Sequence, residues 1–340
     1  MHKTIKQQHF QGSYYEMGLQ CGKMIKDRII LPKADAKKID WASKCRNEME
    51  RYTPGLLDEL QGLADAANLE RKDLDAVLLY EPFAIKRFTN RAPAMNCCTA
   101  FIIPGNRAEG EYPVFARNYD WFAESRDFFA VHCIHPANKL QSMLFTDHYI
   151  GGFGGVNEAG LACAVTSMPY HDCSFKPGIL LNIAVRWVLD TFREAGAAVN
   201  FLEEIQHCEG NLYLIADKTG TNARVEVTPD KVFTTCSRDG FLVATNHFQS
   251  EEMQPLQREL PESEFTRLEG ITSWYSSQEM PVTSDSIKSI LRDHEHEVCA
   301  HVDEGGTVWS WIARLGINEV QVCVGSPCEK QYKVLSIESS

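Results

Sequence analysis

The pattern of apolar side chains changes at Cys97, and this change restricts the folds open to the chain. Through residues 1–97 the apolar side chains recur at helical spacing, as Tyr14, Met17 and Cys21 do on one face of a predicted helix. Beyond Cys97, short apolar runs alternate with Gly, Asn and Pro, which is typical of strands joined by tight turns. A helical leader followed by strand-rich sequence favours a layered α+β architecture over a parallel βαβ sheet.

The same patterns predict where the individual helices and strands lie. In the leader, Thr53 is the expected N-cap of the third helix. The leader helices are predicted over 14–30, over 34–51, from 54 onward and over 73–86. The later strands are predicted over 98–104, 113–118, 128–134, 141–145, 161–167, 212–216, 223–227, 241–244, 307–313, 319–324 and 332–337. The later helices are predicted over 180–190, 194–208, 264–275 and 284–292.

Composition narrows the classes of partner. The 340 residues carry a formal net charge of −12, and an acidic chain repels phosphate groups, so we expect neither nucleic acid nor an anionic membrane as a partner. The N-terminus lacks the apolar segment of a secretory signal, and no apolar stretch is long enough to span a bilayer, which predicts a cytoplasmic protein. The 12 cysteines are then expected to be reduced thiols. The length fits one large domain or two closely packed ones, and a homo-oligomer is compatible with it.

A cysteine and two charged residues stand at the ends of two predicted strands. A hairpin that joins 98–104 to 113–118 through a glycine-containing turn brings Cys98 close to Arg117 and Asp120. A guanidinium beside a thiol lowers the pKa of the thiol, and a carboxylate can hold a nearby ammonium. The alternative is that Cys98 is a core thiol and that Arg117 and Asp120 form a local salt bridge.

Three short motifs follow one another in an order typical of a known superfamily. They are Cys98-Thr99, Arg117-Asn118-x-Asp120 and the run 156–161. Together they resemble the choloylglycine hydrolase and penicillin V acylase superfamily. The run 12–18, with Gly22 after it, resembles the isopenicillin N acyltransferase branch of that superfamily. Acid ceramidase is a more distant relative with the same Cys-Thr start, and the resemblance extends over most of the chain.

The resemblance implies the four-layer αββα fold of the N-terminal-nucleophile hydrolases, with two stacked antiparallel sheets and a helical N-terminal segment. Residues 1–97 correspond to a pro-segment or α chain, and residues 98–340 to the catalytic αββα domain or β chain. The precursor is expected to cut itself between Cys97 and Cys98, which frees the α-amine of Cys98 as the general base. Cys98 is the expected nucleophile because Thr follows it, whereas Cys97 stands where relatives often have a small residue such as Gly.

The resemblance also implies roles for residues around the thiol. Arg117 and Asp120 match the pair that lies beside the thiol and the α-amine. Asn246 matches the donor to the oxyanion, and Arg267 matches a supporting Arg. Ser167 stands where some relatives have a second Asn. A turn Asn at a strand end and a solvated Arg on a helix face are the open alternatives for Asn246 and Arg267.

The chain is therefore expected to be a self-processing cysteine amide hydrolase that acts on linear C–N amide bonds of N-acyl compounds. Its expected partner is a small-molecule acyl amide, and no cofactor is expected. Trp121 and Phe122 follow Asp120 directly and can line an apolar acyl pocket, although packing in the core is an equal alternative. An acyltransferase that uses the same acyl-enzyme, and a catalytically silent binding protein on this fold, are the alternative functions.

Three other patterns are weaker. The run 293–301 is rich in residues that bind metals, but its spacing matches no recognised ligand pattern, so a polar helix end is preferred and no metal site is expected. A papain-like Cys–His pair can be drawn from the 11 histidines, but no cysteine has the local signature. The glycine-rich run 151–155 lacks a phosphate-binding pattern and is interpreted as a tight turn beside the active site.

Overall fold

The computed structural model of the chain describes residues 5–26, 31–80, 98–169, 171, 173–302 and 305–337. Three predictions reach outside these residues: the end of the predicted helix over 14–30, the end of the predicted helix over 73–86, and Cys97 at the expected cut. Among the described helices, none is both long and apolar enough to cross a lipid bilayer.

An eight-stranded sheet forms the first of two β-layers. Its strands are, in spatial order, β1 (Gln7–Gly12), β4 (Ala130–Pro136), β5 (Ser142–Thr146), β6 (Gly154–Asn157), β7 (Leu161–Ser167), β8 (Asn211–Asp217), β9 (Thr221–Val227) and β10 (Val232–Arg238). Neighbouring strands are antiparallel, except that β1 pairs with β4 in parallel at one edge. The predicted antiparallel sheet therefore has one parallel pair.

A seven-stranded antiparallel sheet forms the second layer. Its strands are β2 (Thr99–Ile103), β3 (Val114–Phe122), β11 (Leu242–Ala244), β12 (His301–Val302), β13 (Gly305–Arg314), β14 (Glu319–Val324) and β15 (Lys333–Ser336). The spatial order is β11-β2-β3-β13-β14-β15, and β12 pairs with β13. The hairpin of β2 and β3 is the one that the sequence predicted.

Helices cover the outer faces of the two sheets. The described helices are α1 (Tyr14–Ile25), α2 (Ala36–Tyr52), α3 (Pro54–Ala67), α4 (Arg71–Leu78), α5 (Leu181–Thr191), α6 (Ala195–Glu204), α7 (Glu262–Ser277) and α8 (Ser284–Leu291). Helices α5 and α6 pack on the eight-stranded sheet, α7 and α8 on the seven-stranded sheet, and the sheets contact each other through β2 and β11. The expected α+β fold with four αββα layers is confirmed.

Strand β2 is buried on both faces, and its alternation sets the direction of the candidate nucleophile. Ala100 and Ile102 belong to the core that includes both sheets, whereas Phe101 and Ile103 pack with residues of α7 and α8. Because successive side chains of a strand point to opposite faces, the side chain of Cys98 falls on the side of Ala100 and Ile102. Cys98 belongs to the same apolar cluster as those two residues.

Stacked aromatic rings fill the space between the sheets. The Trp311 ring of β13 lies between Phe115 of β3 and Phe145 of β5, with ring centres 5.0 and 4.9 Å away. All three side chains are fully buried. Burial of rings of this size contributes a large share of the hydrophobic free energy that holds the sheets together.

Several strands lack the sequence pattern that would have predicted them. In β1 only Phe10 is buried, so apolar and polar residues do not alternate. Strand β6 begins with Gly154 and Gly155 inside the run interpreted as a turn. Strand β10 is an edge strand of half-exposed residues. The leader therefore contributes a strand as well as helices.

Thr53 is the N-cap of α3, as predicted, although its hydroxyl makes no capping hydrogen bond.

Two glycines let the leader helices α1 and α3 approach backbone to backbone. A Cβ atom on Gly18 would lie 2.0 Å from the carbonyl oxygen of Glu59, and one on Gly62 would lie 2.1 Å from the carbonyl oxygen of Tyr15. Both distances are far inside van der Waals contact, so neither position tolerates a side chain without separating the helices. Helices α1 and α3 therefore pack as one closely fitted pair.

A buried charge network attaches this helix pair to α5. The Arg186 guanidinium lies 3.1 Å from the Glu59 carboxylate of α3 and 2.8 Å from the Asp190 carboxylate of α5. The Tyr14 hydroxyl of α1 donates to Asp190 at 2.9 Å. Arg186, Glu59 and Asp190 are all buried, so each charge depends on the others for compensation. The network holds the leader against the rest of the fold.

We predict that Arg186→Ala lowers the free energy of unfolding by about 3–5 kcal/mol, because it leaves two buried carboxylates without their cation. Urea unfolding of the two proteins measures the difference. The control is Lys44→Ala, which removes the exposed pair with Asp40 and is expected to cost about 1 kcal/mol or less. Equal losses in both variants would contradict the docking role of Arg186.

Candidate active site

Three strands of the seven-stranded sheet bring the predicted site residues to one place. Ala100 of β2 pairs with Arg117 of β3 on one side and with Ala244 of β11 on the other. Continuing the β2–β11 register two residues past the strand places Asn246 level with Cys98. Cys98 stands directly before β2 and therefore lies between the end of β3 and the segment after β11.

The Cys98 thiol is almost completely buried, with 4% of the residue exposed. Its sulfur lies 3.7 Å from the backbone carbonyl oxygen of Asp120 and contributes a weak hydrogen bond to it. Burial raises the pKa of the Cys98 thiol, and the nearby Arg117 opposes this effect. Arg117 therefore lowers the pKa of the thiol, as predicted, but burial raises this pKa by more.

Arg117 is buried on the face of β3 that points to the other sheet. Its guanidinium donates to the carbonyl oxygens of Phe153 and Val165, the second at 2.6 Å. A Cβ atom on Gly154 would lie 3.0 Å from the guanidinium, so glycine leaves room for it. The glycine-rich run lies beside the site, as predicted, but Gly154 and Gly155 belong to β6 rather than to a turn.

Asp120 is a buried carboxylate next to the candidate nucleophile. Among the described residues, neither of its carboxylate oxygens has a hydrogen-bond partner. Burial raises the pKa of Asp120 to about 7, against the opposing effects of the neighbouring Thr307, Arg267 and Arg117. Thr307, Arg267 and Arg117 compensate the charge of Asp120 only in part, so protonation or a further cation beside it is favourable.

Arg267 of α7 holds the backbone at the candidate nucleophile. Its guanidinium donates to the carbonyl oxygen of Cys98 at 2.9 Å and to the hydroxyl of Thr99 at 3.1 Å, and it pairs with Glu264. Arg267 is fully buried, so the alternative of a solvated Arg on a helix face is wrong.

Asn246 and Ser167 contact each other, and the contact joins the Asn246 side chain to the Ser167 backbone. The Asn246 amide nitrogen donates to the backbone carbonyl oxygen of Ser167 at 2.7 Å. An amide nitrogen has two hydrogens, so this bond leaves one of them for a further acceptor. The Asn246 backbone N–H donates to Glu264 at 3.0 Å. Ser167 therefore positions Asn246 through its carbonyl oxygen.

Trp121 and Phe122 end strand β3 beyond Asp120 and are half-buried. Their ring centres are 5.4 Å apart in an edge-to-face arrangement, and the Tyr119 ring centre lies 6.3 Å from that of Trp121. Tyr119 is buried, so Trp121 and Phe122 supply the accessible apolar surface at this end of β3. Such a surface suits contact with an acyl chain.

Sequence reasoning missed Glu264, which connects two predicted site residues. Its carboxylate is buried, pairs with Arg267, accepts from the backbone of Asn246 and lies 3.5 Å from the ring of His247. The spacing of three residues between Glu264 and Arg267 on a predicted helix was an available signal for the pair. The link to Asn246 depends on how α7 packs on β11, which no local pattern shows.

The comparison with known families decides the class of the protein. Residues 106–329 match the model of a family described as acyl-coenzyme A:6-aminopenicillanic acid acyl-transferase, which is about two thirds of the chain. The chain belongs to this acyl-transferase family. It is therefore an enzyme of the hydrolase or acyltransferase kind, and the superfamily inferred from its motifs is confirmed.

Two solved structures are similar to this member of the acyl-transferase family. Penicillin V acylase from Agrobacterium tumefaciens is 18% identical over 67% of this chain and 83% of its own, with a TM-score of 0.43. A mutant of conjugated bile acid hydrolase from Clostridium perfringens is 13% identical over 71% of this chain and 92% of its own, also with a TM-score of 0.43. No curated protein matches the chain by sequence.

The raised pKa of Asp120 predicts a pH dependence of stability. A carboxyl whose pKa is higher in the folded chain stabilises it fully below the unfolded pKa of about 4, and this contribution is lost as the pH rises through about 7. Asp120→Asn stays neutral. We therefore expect its stability relative to the parent to improve from pH 4.5 to 7.5, by on the order of 4 kcal/mol at most.

Urea unfolding across this pH range checks the expectation, with both proteins carrying Cys98→Ala so that neither is cut. Asp40→Asn, at an exposed position, is the control and is expected to follow the parent. Parallel curves for Asp120→Asn and the parent would show that Asp120 does not titrate in this range.

Proposed function

We propose that the chain is a self-processing cysteine amide hydrolase in which Cys98 is the nucleophile and its freed α-amine is the general base. One observation carries the proposal. Asp120 is a buried carboxylate beside Cys98 whose oxygens have no hydrogen-bond partner within the described ranges. A peptide nitrogen at Cys98 cannot compensate its charge, but an ammonium can. Cutting the bond before Cys98 creates such an ammonium beside Asp120, in addition to the more distant effects of Arg117 and Arg267.

In the cutting step, the Cys98 sulfur attacks the carbonyl carbon of Cys97, and its proton passes to the peptide nitrogen. The C–N bond then breaks and leaves a thioester on the sulfur and an amine on Cys98. Water hydrolyses the thioester, which restores the thiol and leaves a carboxylate on Cys97. Arg267 supports this step because it fixes the carbonyl oxygen of Cys98 at 2.9 Å and so limits rotation of the segment that carries the nucleophile.

In turnover, the Cys98 thiol passes its proton to the α-amine and attacks the acyl carbonyl of the substrate. The remaining hydrogen of the Asn246 amide, together with backbone N–H groups, stabilises the oxyanion. The protonated α-amine, held by Asp120, donates to the leaving amine, and water then releases the acyl group. Arg117 favours the thiolate during attack because its guanidinium lowers the pKa of the Cys98 thiol.

The proposed substrates are linear N-acyl amides with an apolar acyl group. Trp121 and Phe122 offer an apolar surface at the end of β3, beyond Asp120. An acyl chain that rests on these rings directs its carbonyl toward the start of β2, where Cys98 lies. The half-exposed state of both rings leaves surface for a ligand to cover.

We predict that Cys98→Ala abolishes both chain cutting and amide hydrolysis, because it removes the sulfur that forms both thioesters. Cutting before residue 98 divides the 38.4 kDa chain into pieces of about 11 and 27 kDa, in proportion to the 97 and 243 residues on each side. Denaturing mass spectrometry of freshly purified protein measures the pieces. Cys236→Ala, at an exposed thiol in β10, is the matched control and should be cut normally. Hydrolysis by Cys98→Ala would exclude Cys98 as the nucleophile.

We predict that Asn246→Ala lowers the rate of hydrolysis by roughly 10²–10³, as loss of one oxyanion donor does. The loss should lie in kcat rather than KM, because the bond forms in the transition state. Asn106→Ala, at an exposed position, is the control. A change in KM alone would assign Asn246 to substrate binding instead.

An acyltransferase that uses the same acyl-enzyme is the second candidate, and the family description favours it. Both reactions share the Cys98 thioester and differ in whether water or an amine releases the acyl group. Product analysis with and without an added amine separates them: a new amide identifies transfer, and free acid alone identifies hydrolysis. An intact chain whose Cys98 resists thiol electrophiles would indicate a catalytically silent binding protein.

A further inference from the structure

Four potential metal ligands meet at the surface, outside the set of residues proposed for catalysis. His294, Cys299 and His301 lie between α8 and the end of β12, and Cys328 lies in the turn after β14. One ligand atom from each of the four lies within 4.8 Å of the ligand atoms of the other three. Cys299 is buried, Cys328 is partly buried, and the two histidines are exposed. The cluster has one closed side and one side open to solvent.

The distances among the two sulfurs and the Nε2 atom of His301 fit three corners of a tetrahedral site. The two sulfurs are 3.6 Å apart, and the Nε2 atom of His301 lies 3.6 Å from Cys299 and 3.2 Å from Cys328. With zinc bond lengths of about 2.3 Å to sulfur and about 2.0 Å to nitrogen, the edges of a tetrahedron are roughly 3.3–3.8 Å. The ring of His294 lies with its centre 5.0 Å from that of His301, at 87° to it.

Hydrogen bonds to one strand hold both ligand segments in place. The Thr307 hydroxyl of β13 accepts from the backbone of Ala300 at 3.0 Å, and the Thr307 carbonyl oxygen accepts from the Ser326 hydroxyl at 3.1 Å. The backbone of Cys299 donates to the carbonyl oxygen of Asp293 at 2.8 Å. The ligands are therefore carried by segments that are fixed before any ion binds, which favours binding.

We propose that His294, Cys299, His301 and Cys328 bind one zinc ion as a structural Cys₂His₂ site. Two thiolates and two imidazoles are the ligands that zinc prefers, and oxygen-seeking magnesium or calcium would not select them. On binding, each thiol releases a proton to solvent and both sulfurs become zinc-bound thiolates. Four protein ligands complete the tetrahedron, so the ion stabilises the fold and leaves no position for a substrate.

The zinc site connects the C-terminal turn to the strand that carries the candidate catalytic residues. Thr307, which anchors both ligand segments, pairs with Asp120 in the β13–β3 register. The Asn118 side chain of β3 donates to the carbonyl oxygens of Leu291 and Val298, on either side of His294. Removing the ion should therefore loosen the support of β3. Sequence spacing could not reveal the site because all of β13 and β14 separate Cys328 from His301.

Metal analysis of the purified wild-type chain tests the proposal. We expect about one zinc per chain, and after removal by a chelator, titration with cobalt(II) should give the absorption of a tetrahedral site with thiolate ligands. His294→Ala and Cys328→Ser should each lower the affinity for cobalt by at least about tenfold. Cys236→Ser, an exposed cysteine outside the cluster, should bind as the wild type does.

Three results would overturn the proposal. The first is wild-type protein that takes up neither zinc nor cobalt. The second is cobalt binding that is unchanged in both ligand variants, since His294 is exposed and its replacement leaves the core intact. The third is a Cys299–Cys328 disulfide in freshly purified protein without metal, since sulfurs 3.6 Å apart need only a small movement to reach the disulfide length of about 2.05 Å.

Discussion

The buried pair of Arg267 and Glu264 is the interaction on which the arrangement of the site depends. Arg267 binds the carbonyl oxygen of Cys98 and the hydroxyl of Thr99, while Glu264 accepts from the backbone of Asn246. One helix thereby fixes both the start of β2 and the segment after β11. A buried ion pair has little net stabilising value unless its remaining groups are bonded. Here those groups bond to the candidate nucleophile and to the candidate oxyanion donor. The pair therefore mainly fixes the positions of these two residues rather than stabilising the fold.

Strand alternation separates the two charged neighbours of Cys98. Arg117 lies on the face of β3 that points to the eight-stranded sheet, where it binds carbonyl oxygens of that sheet. Asp120 is an odd number of residues away and falls on the opposite face, where Arg267 and Glu264 affect its pKa. The cation thus acts on the sulfur, and the carboxylate is left for the backbone nitrogen. In the proposed reaction, this division gives the thiol of Cys98 a cation and its freed amine a carboxylate.

The leader is part of the folded enzyme rather than a loosely attached segment. Strand β1 extends the eight-stranded sheet, and Glu59 and Tyr14 join the buried network around Arg186 and Asp190. Cutting the chain before Cys98 would not release a segment held in this way. We therefore infer that the two pieces stay associated after processing and that the cut serves to free the amine.

Much of this arrangement follows from sequence pattern, and the remainder depends on tertiary packing. Apolar periodicity predicted the helices and most strands, and the β2–β3 hairpin brought Cys98 to Arg117 and Asp120 as expected. Strand β1 was not predicted because it buries only Phe10, and pairing with β4 rather than a side-chain pattern defines it. The burial that raises the pKa of Cys98, and the contact of Glu264 with Asn246, arise from elements far apart in sequence. No local pattern encodes such contacts.

The central claim is that the acyl group is carried by the sulfur of a residue whose own amine is free. The most direct measurement is acid quenching of the enzyme during turnover of an N-acyl amide, amine-specific labelling, and peptide mapping by mass spectrometry. We expect one peptide that begins at Cys98, with the acyl mass on its sulfur and the label on its α-amine. An acyl group on another cysteine, or on a Cys98 still joined to Cys97, would contradict the proposed mechanism.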